Sequence, residues 1–338
     1  MSASIEPMPV QTALESGIEL SVVIPVFNEQ ESIAPLIERV TDAMKAFPKS
    51  WELIIVDDGS ADATLVGARK FLDRDGLDLK IVELQRNFGQ TAAMQAGIDA
   101  ATGRLIATLD GDLQNDPHDI PTMVQALEER ELDLLQGWRQ NRQDALVLRK
   151  IPSKCANYLI GKITGVRLHD YGCSLKIYRA SVIKQVRLIG EMHRFIPAWV
   201  AAVVPSSRIG EMPVTHHARQ HGVSKYGISR TFRVILDLLS VLFFMRYKAR
   251  PGHFFGSIGL AVGALSALIF LWLFIQKFAF GEDIGTRPLL TVGVVGVLSS
   301  VQFITTGILA ELITRTSFGS IEKPNYIVRA VFKKDGNA

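Results

Sequence analysis

Residues 110–114 read Asp-Gly-Asp-Leu-Gln, so two carboxylates flank one glycine and an amide oxygen follows two places on. Such a set offers hard oxygen ligands of the kind that Mg²⁺ or Mn²⁺ prefers, and few zinc sites look like it. A cation of that type is usually held by one or two carboxylates together with substrate phosphates, which makes a nucleoside diphosphate its natural partner. Gly111 lets the backbone come close to a ligand. Two other polar clusters accompany this one, Asn28-Glu29 and Asp57-Asp-Gly-Ser60. Taken singly, an Asp followed by Gly or Ser is usually a turn or a helix cap. Their positions in the chain change that reading.

Short apolar runs at 20–27, 51–56, 79–84, 104–109 and 132–135 alternate with helix-length stretches at about 30–47, 61–74, 90–101 and 120–130. The alternation predicts an α/β fold, with buried strands, right-handed crossovers and a mainly parallel sheet covered by helices on both faces. Ligands of such sheets sit beyond the carboxyl ends of the strands. The three polar clusters follow the first, second and fourth strands, so they gather at that edge.

A composition of 48% hydrophobic and 21% charged residues with net charge +3 excludes a disordered tail or a fibrous repeat. The mean hydropathy of +0.20 is high for a soluble enzyme. Its source is two stretches, 254–275 and 289–310, that contain no charged residue. As helices each would reach about 33 Å, enough for a hydrocarbon core of about 30 Å. Arg246, Lys248 and Arg250 precede the first stretch, and Arg315, Lys323, Arg329, Lys333 and Lys334 follow the second, whereas the link carries only Lys277 and Arg287. The positive-inside bias therefore puts both large flanks in the cytoplasm and the link outside. Residues 229–247 alternate apolar and basic side chains in the manner of an interfacial helix. Gly259 and Gly263 could seat a neighbouring helix, although lipid-facing glycine is the commoner role. Residues 1–18 lack the basic cluster and apolar core of a secretory signal. Cys155 and Cys173 have no metal-ligand spacing and fit a reducing compartment.

Between 138 and 167 the chain sets Arg139, Arg142, Arg149, Lys150, Lys154, Lys162 and Arg167 against a single acid, Asp144. This belt is either a solvated helix face or a contact for anionic phosphate or lipid headgroups. A second basic island spans Arg219 to Lys225 in a glycine-containing segment. His217 and His221 have the spacing of two ligands on one helical face, but Gly222 follows and no glutamate lies between them, which points to structural or solvated roles.

Pro25-Val-Phe-Asn-Glu29, Asp57-Asp-Gly-Ser60, Arg86-Asn-Phe-Gly89 and Asp110-Gly-Asp-Leu-Gln114, in that order and followed by two spans, resemble the family 2 glycosyltransferases of the polyprenyl-phosphate (dolichol-phosphate mannose synthase-like) branch. Arg139-Gln-Asn-Arg-Gln-Asp144, Asp170-Tyr-Gly-Cys173 and Lys323-Pro-Asn-Tyr326 look most like its bacterial undecaprenyl-phosphate sugar transferases. Where that branch commonly reads Asp-Ala-Asp-Leu-Gln and then Asp/Asn-Pro-Pro-Glu, this chain has Gly111 and Asn115-Asp-Pro-His118.

The resemblance implies a Rossmann-like, nucleotide-sugar-binding GT-A domain over 19–228 behind an N-terminal tail at 1–18. Interfacial helices at 229–250, two membrane helices within 251–314 and a cytosolic tail at 315–338 would follow. It implies that Pro25, Phe27, Glu29, Val56 and Asp58 surround the base and ribose, and that Gly111 lies against the donor. Asp110, Asp112 and Gln114 would hold Mg²⁺ or Mn²⁺ on the diphosphate, while Arg139, Arg219 and Lys225 would supply positive charge to the donor diphosphate and acceptor phosphate. Asp170 would assist near the acceptor, with a capping or turn role beside that one, and Arg142, Arg149 and Lys150 would bind lipid phosphate. The expected partners are a nucleotide-sugar, UDP-linked and glucose-like or a modified pentose, a polyprenyl phosphate such as undecaprenyl phosphate, and the bilayer of a bacterial inner membrane. A homo-oligomer is expected and nucleic acid is not. A phosphate acceptor is already largely anionic near neutral pH, so direct displacement with inversion needs no strong general base. Two rivals are a processive polysaccharide synthase, against which the chain lacks any Arg-Trp pair, and a non-catalytic membrane adaptor that binds nucleotide-sugar.

Overall fold

The computed structural model describes residues 17–140, 161–162, 165–190, 192–217, 243, 251–285, 287–317 and 324–334. Arg142, Arg149, Lys150, Arg219 and Lys225, with nearly all of the expected interfacial helix and tail at 1–18, lie outside the described residues. Two compact units arise, Met1–Val241 with Pro324–Ala338, and Leu242–Lys323.

In the first unit, β1 (Leu20–Val26), β2 (Trp51–Asp57), β3 (Leu79–Leu84), β4 (Leu105–Thr108) and β5 (Leu134–Trp138) stand where the apolar runs predict strands. Leu20, Val22, Val23, Ile24, Leu53, Ile54, Ile55 and Val56 are all fully buried, because helices cover both faces and leave no solvent side for polar alternation. The intervening helices are α1 (Ile33–Ala43), α2 (Thr64–Arg69), α3 (Gln90–Ala100) and α4 (Asp119–Glu129). Helix α1 buries Ile33, Leu36, Ile37 and Val40, the spacing of one helical face. Helix α3 instead offers Ala92, Ala93, Ala96 and Gly97, and a Cβ on Gly97 would fall 2.2 Å from Val23 Cγ1. Its backbone therefore lies close against β1, which fixes where its first turn points.

Sequence patterning did not flag the other strands, β6 (Lys176–Arg179), β7 (Ile209–Pro213) and β8 (Val328–Lys333). Short helices α5 (Ala180–Ile183) and α6 (Ile196–Val200) lie between β6 and β7. The described residues form one sheet of order β7-β5-β6-β4-β1-β2-β3-β8. β1, β2, β3 and β4 pair in parallel, β6 and β8 join antiparallel to β4 and β3, and β7 runs parallel to β5. Within the expected C-terminal tail, β8 thus adds an edge strand, and Tyr326 anchors its approach by donating to Asp99 Oδ2 (2.8 Å). The order β4-β1-β2 places the carboxyl ends of the three acid-bearing strands side by side.

The second unit is a pair of long helices, α7 (Pro251–Ala279) and α8 (Pro288–Ser317), both long and apolar enough to cross a membrane. Gly259 and Gly263 face the partner helix rather than lipid. Ser300 Oγ donates to the Gly259 carbonyl (2.7 Å), and a Cβ on Gly263 would lie 2.6 Å from Ser300 Oγ.

Candidate active site

The loops after β1 and β2 are stitched together. Asn28, with φ +54, donates its amide to Ser60 Oγ (2.9 Å) and accepts from the Ala61 amide (2.9 Å), while the Glu29 amide donates to Thr64 Oγ1 (2.8 Å). Pro25 and Val56 are buried within their strands, and Phe27 stands 43% exposed at the mouth.

Asp58 accepts from the amides of Phe88 (2.7 Å) and Gly89 (2.9 Å), so its carboxylate clamps the Arg86–Gly89 turn to β2. Burial raises its pKa, and these two bonds only partly offset that. Gly59 is obligatory between the two loops: its φ is +70° and a Cβ would lie 2.5 Å from the Arg86 carbonyl carbon. Asp57, 2% exposed, accepts the Ser60 amide at Oδ2 (3.3 Å), and its Oδ1 has no hydrogen-bond partner among the described residues. Burial pushes its carboxyl above the ordinary range.

The clamped turn leads into α3, whose first residue, Gln90, donates to Asp110 Oδ1 (2.7 Å). Next to it, Thr91 Oγ1 lies 2.6 Å from His193 Nδ1. Asp110 is raised by burial and then by the Asp112 charge, while Ser174, Lys176 and Arg139 oppose the shift. Gly111 packs against β1, and a Cβ there would sit 2.8 Å from Val26 Cγ1. Asp112 Oδ1 accepts from the Gln114 amide (3.3 Å), bridging Leu113, which takes φ +62°.

On the far side Arg139, at the end of β5, makes a two-pronged ion pair with Asp170: Nε to Oδ2 at 2.7 Å and Nη2 to Oδ1 at 3.0 Å. Burial lowers the Arg139 pKa, but the Asp170 bonds and charge outweigh it, so the guanidinium stays charged. Beneath this pair Lys176, 2% exposed, donates to the Cys173 carbonyl. Sequence reasoning missed Lys176 and Gln90. A lysine in the otherwise apolar run Leu175-Lys-Ile-Tyr178 was the available signal for the first.

The structure brings Asp110, Asp112, Gln114, Gly111, Arg139 and Asp170 into one charged neighbourhood, with Asp58 set back as a clamp. Among the described residues no set of three His, Cys, Asp or Glu is gathered to hold a metal ion. Two mutually repelling carboxylates and one amide oxygen nevertheless suit a Mg²⁺- or Mn²⁺-type ion that completes its shell with substrate oxygens. The donor set fits such an ion only with a ligand present.

The glycosyl transferase family 2 profile matches residues 21–187. A dodecaprenyl-phosphate galacturonate synthase of Rhizobium johnstonii is 72% identical over 338 residues, 100% of both chains. An undecaprenyl-phosphate 4-deoxy-4-formamido-L-arabinose transferase of Edwardsiella ictaluri is 35% identical over 93% of this chain and 94% of its own. Among solved structures, glucosyl-3-phosphoglycerate synthase from Mycobacterium tuberculosis in complex with Mn²⁺ and uridine-diphosphate-glucose superposes with TM-score 0.52 at 18% identity, covering 70% of this chain and 85% of that one. Mannosyl-3-phosphoglycerate synthase from Rubrobacter xylanophilus gives TM-score 0.52 at 13% identity over 69% of this chain and 76% of its own. At those identities the likeness is one of fold.

Proposed function

The chain belongs to glycosyl transferase family 2, in its polyprenyl-phosphate branch, and from that premise we propose that it moves one sugar from a UDP-sugar to a polyprenyl phosphate at a membrane surface. The observation that carries this reading is the meeting of carboxylates at three adjacent strand ends opposite the Arg139–Asp170 pair. The 72% identical galacturonate synthase supports a hexuronate as the sugar, in place of the glucose-like or pentose donors suggested by sequence.

Asp110, Asp112 and the Gln114 amide oxygen would hold Mg²⁺ or Mn²⁺. When bound, that ion offsets the negative charge gathering on the departing diphosphate. Phe27, Glu29, Pro25, Val56 and Asp58 shape the nucleotide side, Asp58 through the turn it clamps, and Gly111 keeps the acidic turn pressed on β1. Arg139 brings a permanent cation to the phosphates and Asp170 orients it. Arg219 and Lys225 are assigned the same task as Arg139, and Arg142, Arg149 and Lys150 that of meeting lipid phosphate. The acceptor phosphate oxygen attacks the anomeric carbon directly, with inversion, and needs no strong base because it is already anionic.

The two apolar helices suit a lipid acceptor that cannot readily leave the bilayer, since each buried methylene is worth about 0.8 kcal/mol. Cation-rich flanks support a cytosolic site.

The test is incubation of the membrane-reconstituted protein with Mg²⁺, radiolabelled UDP-sugars, UDP-galacturonate among them, and dodecaprenyl or undecaprenyl phosphate, followed by product mass. One sugar on one lipid phosphate is expected. A polymer would establish the synthase reading, and no transfer from any donor would leave the adaptor.

A further inference from the structure

The Asp110–Gln114 turn does not hold its shape alone. Leu113 has φ +62° although it is a leucine, and its side chain is 2% exposed, so the turn combines a disfavoured backbone with a buried anchor. A bulky residue stays in that region only where its surroundings over-determine it. Those surroundings come largely from a segment about a hundred residues away, just past β7. The His217 amide donates to the Gln114 carbonyl (2.8 Å), and His216 bridges to Asn115. The His217 ring donates from Nε2 to Asp116 Oδ2 (3.0 Å). Asp116 Oδ1 takes both the amide (3.0 Å) and the ring Nδ1 (2.8 Å) of His118, and Thr215 donates its amide to Asp119 Oδ2 (2.6 Å). From below, Asn115 Nδ2 donates to Ser174 Oγ (2.6 Å).

We propose that Asp116 and His217 are positioning residues: their side chains form a clasp that holds the Asp112–Gln114 turn in its cation-binding shape. The proposal rests on the reading that this turn binds a divalent ion together with the donor diphosphate. Asp116 and His118 are the two positions of the Asn115-Asp-Pro-His118 run that depart from the pattern common in the branch that the sequence resembles. The Asp116–His217 bond joins the segment that follows the turn to the strand end past β7, and the His217 amide continues that tie onto the Gln114 carbonyl. The clasp residues act through the turn.

Two measurements on the full-length protein in detergent separate this proposal from the reading beneath it. Mn²⁺ uptake is followed by electron paramagnetic resonance of free Mn²⁺ in the presence of UDP. Amide hydrogen exchange is followed on peptides covering 112–116. Losing a hydrogen bond to a charged group corresponds to a weakening of about tenfold. His217→Ala is expected to weaken Mn²⁺ uptake by that factor and to speed exchange in those peptides, at unchanged thermal midpoint. His217→Gln, which restores a side-chain N–H, is expected to return uptake to within about twofold of wild type. Should His217→Ala fail to fold, Asp116→Asn keeps the volume and removes the charge, with about three- to tenfold weaker uptake expected. Exchange and uptake within twofold of wild type in the folded variants overturn the clasp. If wild type shows no saturable Mn²⁺ uptake with UDP, the metal reading fails, and exchange alone then decides whether the clasp holds the turn.

Discussion

The two ends of the sheet place acids very differently. At the amino end Glu52 is 1% exposed and fully served: Oε1 accepts from Ser21 Oγ (2.6 Å), the Thr102 amide (2.7 Å) and Thr102 Oγ1 (2.7 Å), and Oε2 pairs with Lys80 Nζ (2.9 Å). Lys80 in turn reaches the Ala100 carbonyl (2.8 Å), and the Gly103 amide donates to Ser21 Oγ (2.8 Å). Burial pushes Glu52 up, but these bonds and the Lys80 charge outweigh it, so its carboxyl lies below the usual range. At the carboxyl end Asp57, Asp58 and Asp110 all lie above it, because burial is met by fewer donors and, at Asp110, by a second carboxylate. One end is satisfied within the chain, and the other leaves its carboxylates short of donors, which the proposed cation and ligand would supply. Buried charge that finds its partners in the protein stabilises the fold, whereas buried charge left short of partners marks where something else binds.

The largest effect expected from this contrast is at the amino end. Lys80→Met leaves Glu52 buried without its cation and should cost about 3–5 kcal/mol of stability in denaturant unfolding, with turnover per folded molecule unchanged. Loss of turnover without loss of stability would merge the two ends into one.

The converse comes next. Asp112→Asn should lower kcat by about 10²–10³-fold, even with saturating Mg²⁺, while the thermal midpoint stays the same or rises. Near-normal transfer would remove Asp112 from the machinery.

A smaller effect is read in pH. An acid whose folded pKa is raised carries a stability cost that is full above that value and vanishes below its unfolded value, about 4. An acid whose folded pKa is lowered contributes stability above about 4 that fades as pH falls through the folded value. Asp57→Asn should therefore be more stable than wild type at pH 7, a difference that shrinks as pH falls toward 4, and Glu52→Gln less stable, a difference that shrinks only as pH falls below about 4. Midpoints that move in the same direction would break the contrast.

Much of this was legible in the sequence. Short, mostly apolar runs predict β1 to β4 because strands buried on both faces carry no regular polar alternation, and Asp-Gly punctuation marks the carboxyl ends of β2 and β4. β8 was not legible: Val328-Arg-Ala-Val-Phe-Lys333 is an exposed edge strand that pairs with β3 across some 240 residues, a distance no local pattern encodes. Lys80 and Lys176 were missed because lysine is ordinarily exposed, and only tertiary partners reveal a buried one. His217 was read as structural or solvated because a metal-binding helix was the alternative weighed. The partner that gives it a role, Asp116, meets it only in the folded chain.

The most direct test of the central claim, that the carboxyl end of the sheet binds the cation–diphosphate pair, is an electron cryomicroscopy map of the protein with Mn²⁺ and UDP. The ion is expected beside Asp110 and Asp112 together with the diphosphate, and the nucleoside beside Phe27 and the Asp58-clamped turn. Density for ion and nucleotide at any other place on the sheet, with those two carboxylates bare, would contradict it.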